Sequence, residues 1–318
     1  MLLGIPLISF LASFVLFPAM IFRLKKAGIV GKNMNSKTKE EMAEMGGLVI
    51  VAGFGAGIFT IIAINTFFDI LLSIQSISIL AALSSIFIVT IIGIVDDLVS
   101  MPQNIKAFMP LIAALPLIVI KEGSTFMRMP FWGNVNFGLL YTLVIIPLEV
   151  TIAANAVNML AGFNGLEVGM GIIVIGTLII IAYLIGNVTV LVILLAAMGA
   201  LLGALYYNWY PAKVLIGDVG TLSIGAIIAA AVVIGNFEIA GTILLIPYII
   251  DFLIKAKNHF PYSFGIYREG KLYCPKSGPV GLGQLIMKLS RGISEKNLVL
   301  ILMGIEFMLG VIAILVYV

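Results

Sequence analysis

Three groups of polar residues interrupt a chain that is otherwise largely hydrocarbon: Asp96-Asp97, the stretch Asn155-Ala-Val-Asn-Met-Leu-Ala-Gly-Phe-Asn-Gly-Leu-Glu167, and Asp218 between Gly217 and Gly220. Amides and carboxylates near bilayer depth are costly unless they face a cavity, a partner or a ligand. Adjacent carboxylates also repel, and a divalent cation, a basic group or a proton must offset them. The plain alternative for Asp96-Asp97 is a solvated helix terminus. The chemical reading is a Mg²⁺-dependent site, since that ion takes oxygen ligands and is held by one or two carboxylates plus substrate phosphates. Asp218 would add a carboxylate from elsewhere in the chain, and Asn158 an amide oxygen. Asn155 and Asn158, three residues apart, share one face of a helix. Gly162 and Gly165 then release the chain into a loop ending near Glu167. Lys106 alone would read as a snorkelling anchor, but beside a metal and a phosphate it would neutralise charge on a transferred group. Gly162, Gly165, Gly169 and Gly171 suit either close approach of backbone amides to a ligand or helix packing.

The elements that must position these residues follow from composition. Of 318 residues, 62% are hydrophobic and 10% charged, with a mean hydropathy of +1.21. That is more apolar surface than a soluble core of this size can hide, which implies a polytopic membrane protein. A single cysteine, Cys274, excludes an internal disulfide and a cysteine-built metal site; a single histidine, His259, excludes a multi-histidine centre. His259 reads as an interfacial side chain and Cys274 as inert. Nothing in the charge pattern supports nucleic-acid binding.

With about 20 apolar residues needed to cross the hydrocarbon layer, the fold class is all-α, with ten spans near 1–22, 46–66, 77–95, 106–121, 138–154, 168–186, 188–207, 219–235, 239–257 and 298–317. The first has no basic n-region and runs into Arg23, Lys25 and Lys26, so it reads as a retained helix rather than a signal peptide. Sixteen of the 18 lysines and arginines fall in the odd-numbered connections, against Lys121 and Arg128 in the even ones. The positive-inside rule then puts the odd connections in the cytoplasm and both termini outside. All three polar groups lie in cytoplasmic connections. The loop from Lys121 to Phe137, with Pro130, Trp132 and Asn134, reads as an interfacial anchor. The loop 255–297 between the last two spans is the one sizeable soluble piece, and its alternating run Gly265–Tyr273 predicts a hairpin turning at Glu269-Gly270. No internal repeat is evident, so residues 1–318 are read as one domain.

The set Gly93-Ile-Val-Asp96-Asp97, Asn155–Glu167 and Gly217-Asp218 resembles the polyprenyl-phosphate N-acetylhexosamine-1-phosphate transferase superfamily. Leu-Ala-Gly in the middle of the asparagine stretch is similar to the eukaryotic and archaeal dolichyl-phosphate N-acetylglucosamine-phosphotransferase branch; the bacterial enzymes usually carry an aspartate before that glycine. Gly31-Lys32-Asn33-Met34-Asn35 also resembles the first cytoplasmic loop of the dolichol branch, and Lys106 matches its phosphate-binding lysine. The resemblance runs from about Gly28 to Lys257 and implies ten spans with both ends outside.

By that resemblance Asn158 and Asp218 are metal ligands for Mg²⁺, with Mn²⁺ as a substitute. Asp96, Asp97 and Lys106 are the catalytic set at the reacting phosphates, with base and positioning roles both open for the aspartates. Glu44, Asn155, Asn164, Gly165 and Glu167 line the substrate pocket. The branch usually carries a Pro-Arg-His-Arg-type run in its last cytoplasmic loop; here stand Asn258-His259-Phe-Pro261 and Tyr267-Arg268-Glu269, and Arg268 is the substitute contact to the sugar. The implied partners are a UDP-N-acetylhexosamine, a polyprenyl or dolichyl phosphate and membrane lipid, and a homodimer is compatible with them. The implied reaction transfers N-acetylhexosamine-1-phosphate to the lipid phosphate on the cytoplasmic side of the membrane. The competing class is an ion-coupled secondary transporter; against it, the polar clusters share one face and lack an inverted partner in the other half. A membrane scaffold would leave the asparagines and aspartates without a reason.

Overall fold

The computed structural model describes residues 2–68, 74–129 and 133–317; Pro130 and Trp132 of the expected anchoring loop lie outside them. Apolar runs without a polar face become helices buried in protein or lipid. In chain order they are α1 (Gly4–Lys26), α2 (Gly47–Phe68), α3 (Ser76–Val99), the short α4 (Gln103–Phe108), α5 (Pro110–Ala113) and α6 (Leu115–Val119), then α7 (Ile146–Leu160), α8 (Leu166–Leu184), α9 (Val188–Asn208), α10 (Gly217–Gly235), α11 (Glu238–Leu244), α12 (Ile246–Lys257), α13 (Leu282–Leu289) and α14 (Glu295–Tyr317). A π-helical turn, Tyr141–Ile145, leads into α7. The chain is a multi-pass membrane protein, with eight helices among the described residues long and apolar enough to cross a membrane.

Each of the ten expected segments falls on helix, but two are broken. The ninth is α11 and α12, bent by 55°; Pro247 near the start of α12 cannot donate a backbone hydrogen bond into the preceding turn. The fourth is α4 to α6, a 17-residue apolar stretch interrupted at Pro110 and Pro116 for the same reason. At 17 residues it is close to the expected length but shorter than the roughly 20 needed to cross the hydrocarbon layer.

Nearly every residue of α10 is buried, and α2, α3, α7, α8 and α9 pack around it. Small residues set the closest approaches, as expected where packing rather than water exclusion drives association. A Cβ on Gly93 would overlap the Val219 backbone, and one on Gly225 would overlap Ala153. These two contacts bring the aspartates of α3 and the asparagines of α7 to the start of α10.

Three two-stranded hairpins complete the fold. In the first, β1 (Val30–Lys32) pairs with β2 (Glu41–Ala43), and Ala43 also bridges to Val214 just before α10. The second joins β3 (Phe126–Met129) to β4 (Gly133–Asn136), the strand that contains Asn134. The third joins β5 (Ile266–Arg268) to β6 (Lys271–Tyr273). Its turn residues Glu269 and Gly270 both have positive φ, at 47° and 80°, the conformation of a two-residue type I′ turn.

Gly93→Ala is expected to cost about 1–3 kcal/mol by overpacking and to lower the thermal unfolding temperature in detergent. Gly55→Ala, where an added Cβ meets nothing closer than 3.8 Å, is expected to leave it unchanged.

Candidate active site

Successive residues on a helix diverge by about 100°, so Asp96 and Asp97 serve different partners. Asp96 is buried. Its Oδ1 accepts from the Met101 backbone N–H at 2.7 Å, fixing the turn that ends α3, and its Oδ2 lies 2.5 Å from Lys106 Nζ. Asp97 turns to α10, where Oδ1 accepts from Asp218 N at 2.8 Å and Oδ2 from Val219 N at 3.1 Å. Gly217, at φ +73°, opens that helix and leaves these amides without intrahelical partners. Asp97 is therefore an N-terminal cap supplied by another helix, with its charge at the positive end of the helix dipole. The repulsion expected between the paired aspartates is offset on one side by an ammonium and on the other by backbone amides.

Lys106 is buried and is no snorkelling anchor. Its Nζ bridges Asp96 and Asp218, from α3 and α10. Asn158 joins from α7, with its side-chain oxygen 3.0 Å from Thr221 Oγ1. In the alternative amide orientation, its nitrogen donates to Asp218 Oδ1 at 2.8 Å and its oxygen accepts from Lys106 at 3.0 Å. Asn155 Nδ2 donates to Ala107 O at 3.0 Å and to Thr151 O at 2.9 Å, tying α7 to the short helix that carries Lys106. Backbone bonds from Leu215 N to Ala43 O and from Gly46 N to Leu215 O hold Glu44 near Asp218. Burial, and then the Asp218 charge, push the Glu44 carboxyl above the usual carboxylate range.

The remaining sequence candidates serve other contacts. Asn164 is buried and its N–H donates to Glu295 Oε1 at 2.8 Å. Gly165, at φ +82°, packs against Trp209, whose ring a Cβ would meet at 2.7 Å. Glu167 accepts from Gly162 N at 2.7 Å, closing the turn between α7 and α8. Arg268 is exposed on the β5–β6 hairpin. The structure thus brings together Asp96, Asp97, Lys106, Asn155, Asn158, Asp218 and Glu44, and spends Asn164, Gly165 and Glu167 on shaping the adjoining loop. Sequence reasoning gave no role to two further residues. Thr221 bonds Asn158. Asn35 is buried, donates to Gly162 O at 2.7 Å and accepts from Gly265 N at 3.4 Å, joining three distant connections. Thr221 lies one helical turn after Asp218, a usable signal; Asn35 closes the Gly31–Asn35 run that resembles the dolichol branch, a signal for the loop but not for the contacts this side chain makes.

Among the described residues no three His, Cys, Asp or Glu side chains are gathered to hold a metal. Asn158 and Asp218 nevertheless fit Mg²⁺ chemically. The end of the Asn158 amide stands 2.8 Å from Asp218 Oδ1, so that turning the amide away from Lys106 sets a hard amide oxygen beside a hard carboxylate oxygen. Neighbouring ligands on an ion with 2.0–2.1 Å bonds at right angles stand about 2.9 Å apart. Two protein ligands suit an ion that completes its shell with water and phosphate oxygens.

Residues 79–236 match the model of glycosyl transferase family 4. A Saccharolobus solfataricus protein provisionally named a UDP-N-acetylglucosamine–dolichyl-phosphate N-acetylglucosaminephosphotransferase is 38% identical over 97% of this chain and 94% of its own. A Sulfolobus acidocaldarius protein with the same provisional name is 37% identical over 98% and 96%. The Dictyostelium discoideum protein named, without that qualification, as this phosphotransferase is 27% identical over 85% of this chain and 74% of its own.

Removing the cap in Asp97→Ala is expected to cost about 1–2 kcal/mol, read as a lower unfolding temperature in detergent. For Glu44, the folded protein binds the proton more tightly than the unfolded chain. Its contribution is fully present below the unfolded pKa and is lost as pH rises through the raised folded one. Glu44→Gln is therefore expected to unfold at a higher temperature than the parent at pH 7, with the gap closing below about pH 4.

Proposed function

The chain belongs to glycosyl transferase family 4, and from that premise we propose that it transfers N-acetylglucosamine-1-phosphate from UDP-N-acetylglucosamine to dolichyl phosphate or a related polyprenyl phosphate. An acceptor phosphate oxygen attacks the phosphorus that carries the sugar. The bond from that phosphorus to the bridging oxygen breaks, and UMP leaves. The observation that carries the reading is the cation shared by Asp96 and Asp218, where three distant segments meet at one end of a membrane bundle. An acceptor with a polyisoprenoid tail and a charged head needs such a place, because its tail stays in hydrocarbon while its phosphate meets a water-soluble nucleotide.

Asn158 and Asp218 would hold Mg²⁺, which when bound offsets charge on the pyrophosphate and on the departing UMP. Lys106 exchanges a carboxylate partner for a phosphate oxygen and so keeps a compensated charge throughout. Asp96 holds Lys106 in place, while Asp97 holds the start of α10 and with it Asp218. A phosphate monoester is already largely ionised at neutral pH, so the acceptor needs no strong base. Asn155 and Glu44 border the nucleotide, the loop of Asn164, Gly165 and Glu167 forms the adjoining wall, and Arg268 serves the sugar. The positive-inside argument favours a cytoplasmic site with both termini outside, given the ten crossings and single domain read from the apolar runs and the absence of a repeat. The transporter alternative has no support, since the matching relatives carry transferase names.

Purified protein supplied with UDP-N-acetylglucosamine, dolichyl phosphate and Mg²⁺ is expected to release UMP, and EDTA to abolish the release. Asp218→Ala should lower turnover at least about 100-fold; full activity in that variant would sink its metal role. Competition by UDP-N-acetylgalactosamine checks the sugar.

A further inference from the structure

Helix α12 carries two buried charges on an otherwise apolar turn. Asp251 is 1% exposed and Lys255 is 7% exposed, four residues apart and joined at 2.8 Å. Taking both charges out of water is costly, and a well-packed apolar pair is often at least as stable. Stability alone therefore gives little reason to keep them.

Each charge has a second contact on a different element. Asp251 Oδ1 accepts from Leu282 N at 2.7 Å, the first residue of α13. A Cβ on the preceding Gly281 would stand 2.9 Å from the Ser263 side chain and 3.0 Å from that same oxygen. Lys255 Nζ donates to the Met159 carbonyl. Met159 is the penultimate residue of α7, which stops at Leu160 when Ala161 turns to ψ 166°. Its carbonyl is one of the last four of a helix, which lack intrahelical partners and carry the negative end of the dipole. An ammonium there satisfies the carbonyl and fixes the last turn. Asn158 is the residue before Met159.

We propose that the Asp251–Lys255 pair is a positioning device for Asn158, linking the end of α7 to the start of α13 and so to the connection between α12 and α14. This rests on reading Asn158 as a metal-holding residue. Neither Asp251 nor Lys255 touches the aspartate–lysine cluster; they act through the helix end that presents Asn158. The bend between α11 and α12 lays α12 beside α7 at that point. Loss of the pair loosens the last turn of α7 and weakens the metal site without removing a ligand.

The test compares the parent with Asp251→Leu/Lys255→Met, which removes both charges and leaves neither unpaired, and with Lys255→Arg, which keeps a charged donor. Three readouts are used: the Mg²⁺ concentration for half-maximal UMP release, Mn²⁺ binding to the UDP-loaded protein by its EPR signal, and hydrogen exchange across residues 155–161. The double variant is expected to fold, to need at least tenfold more Mg²⁺, to bind Mn²⁺ at least tenfold more weakly, and to exchange faster at the end of α7. Lys255→Arg should stay within threefold of the parent. A folded double variant with the parent's metal constants and exchange overturns the proposal. If the double variant does not fold, Lys255→Gln decides: a threefold or larger weakening of Mn²⁺ binding with faster exchange supports the proposal, and parental values overturn it. A parent without metal-dependent UMP release sinks the proposed reaction, while hydrogen exchange still decides whether the pair holds the end of α7.

Discussion

Lys106 and Asp218 are 112 residues apart in sequence, yet one ammonium serves both Asp218 and Asp96. A buried charge is tolerated only when paired, and removing one partner leaves the other stranded. That condition fixes the relation of α3, α4 and α10. Asn155 then attaches α7 to the same short helix through Ala107, and Asn158 completes the ring beside Thr221. The close approaches at Gly93 and Gly225 allow these side chains to meet, because bulkier residues would hold the backbones beyond the reach of an aspartate or an asparagine. Packing and charge are two aspects of one constraint.

The fold was legible wherever one physical rule dominates locally. Hydrocarbon runs of membrane length became helices, and the alternation around Glu269-Gly270 became a hairpin with the turn that those residues favour. Pro110, Pro116 and Pro247 were visible too, but whether a proline ends a span or bends it depends on neighbours that satisfy the freed groups. The site was legible as residue types whose cost demands a reason. Its wiring was not. Asp97 caps a helix through an amide 121 residues later, and no spacing rule reaches that far. Asn164 and Glu167, polar residues beside the metal candidate, bond to Glu295 and Gly162, an allocation decided by loop closure in three dimensions. Gly165 reads in sequence as room for a close approach, and in the fold the side where a Cβ would stand is taken by Trp209.

Asp251 and Lys255 illustrate a different blind spot. A carboxylate and a lysine four residues apart inside an apolar run are readable in sequence as a helical ion pair, but the hydrophobicity of 239–257 is the stronger local signal. A wholly apolar helix end would serve as well for crossing lipid. The charges matter because each also serves a backbone group on another helix, a fact that belongs to tertiary structure.

The contacts between α3 and α10 are unevenly distributed along their length. At one end Asp97 grips two amides of α10 and Lys106 spans both helices; further along, Thr90 and Ser223 share a hydrogen bond at 2.9 Å. The directional contacts between the two helices thus gather toward the end that carries the carboxylates. Packing alone would let one helix slide or turn against the other, whereas hydrogen bonds and ion pairs hold only in a narrow range of distance and angle, so the register of α3 on α10 is set where the carboxylates lie.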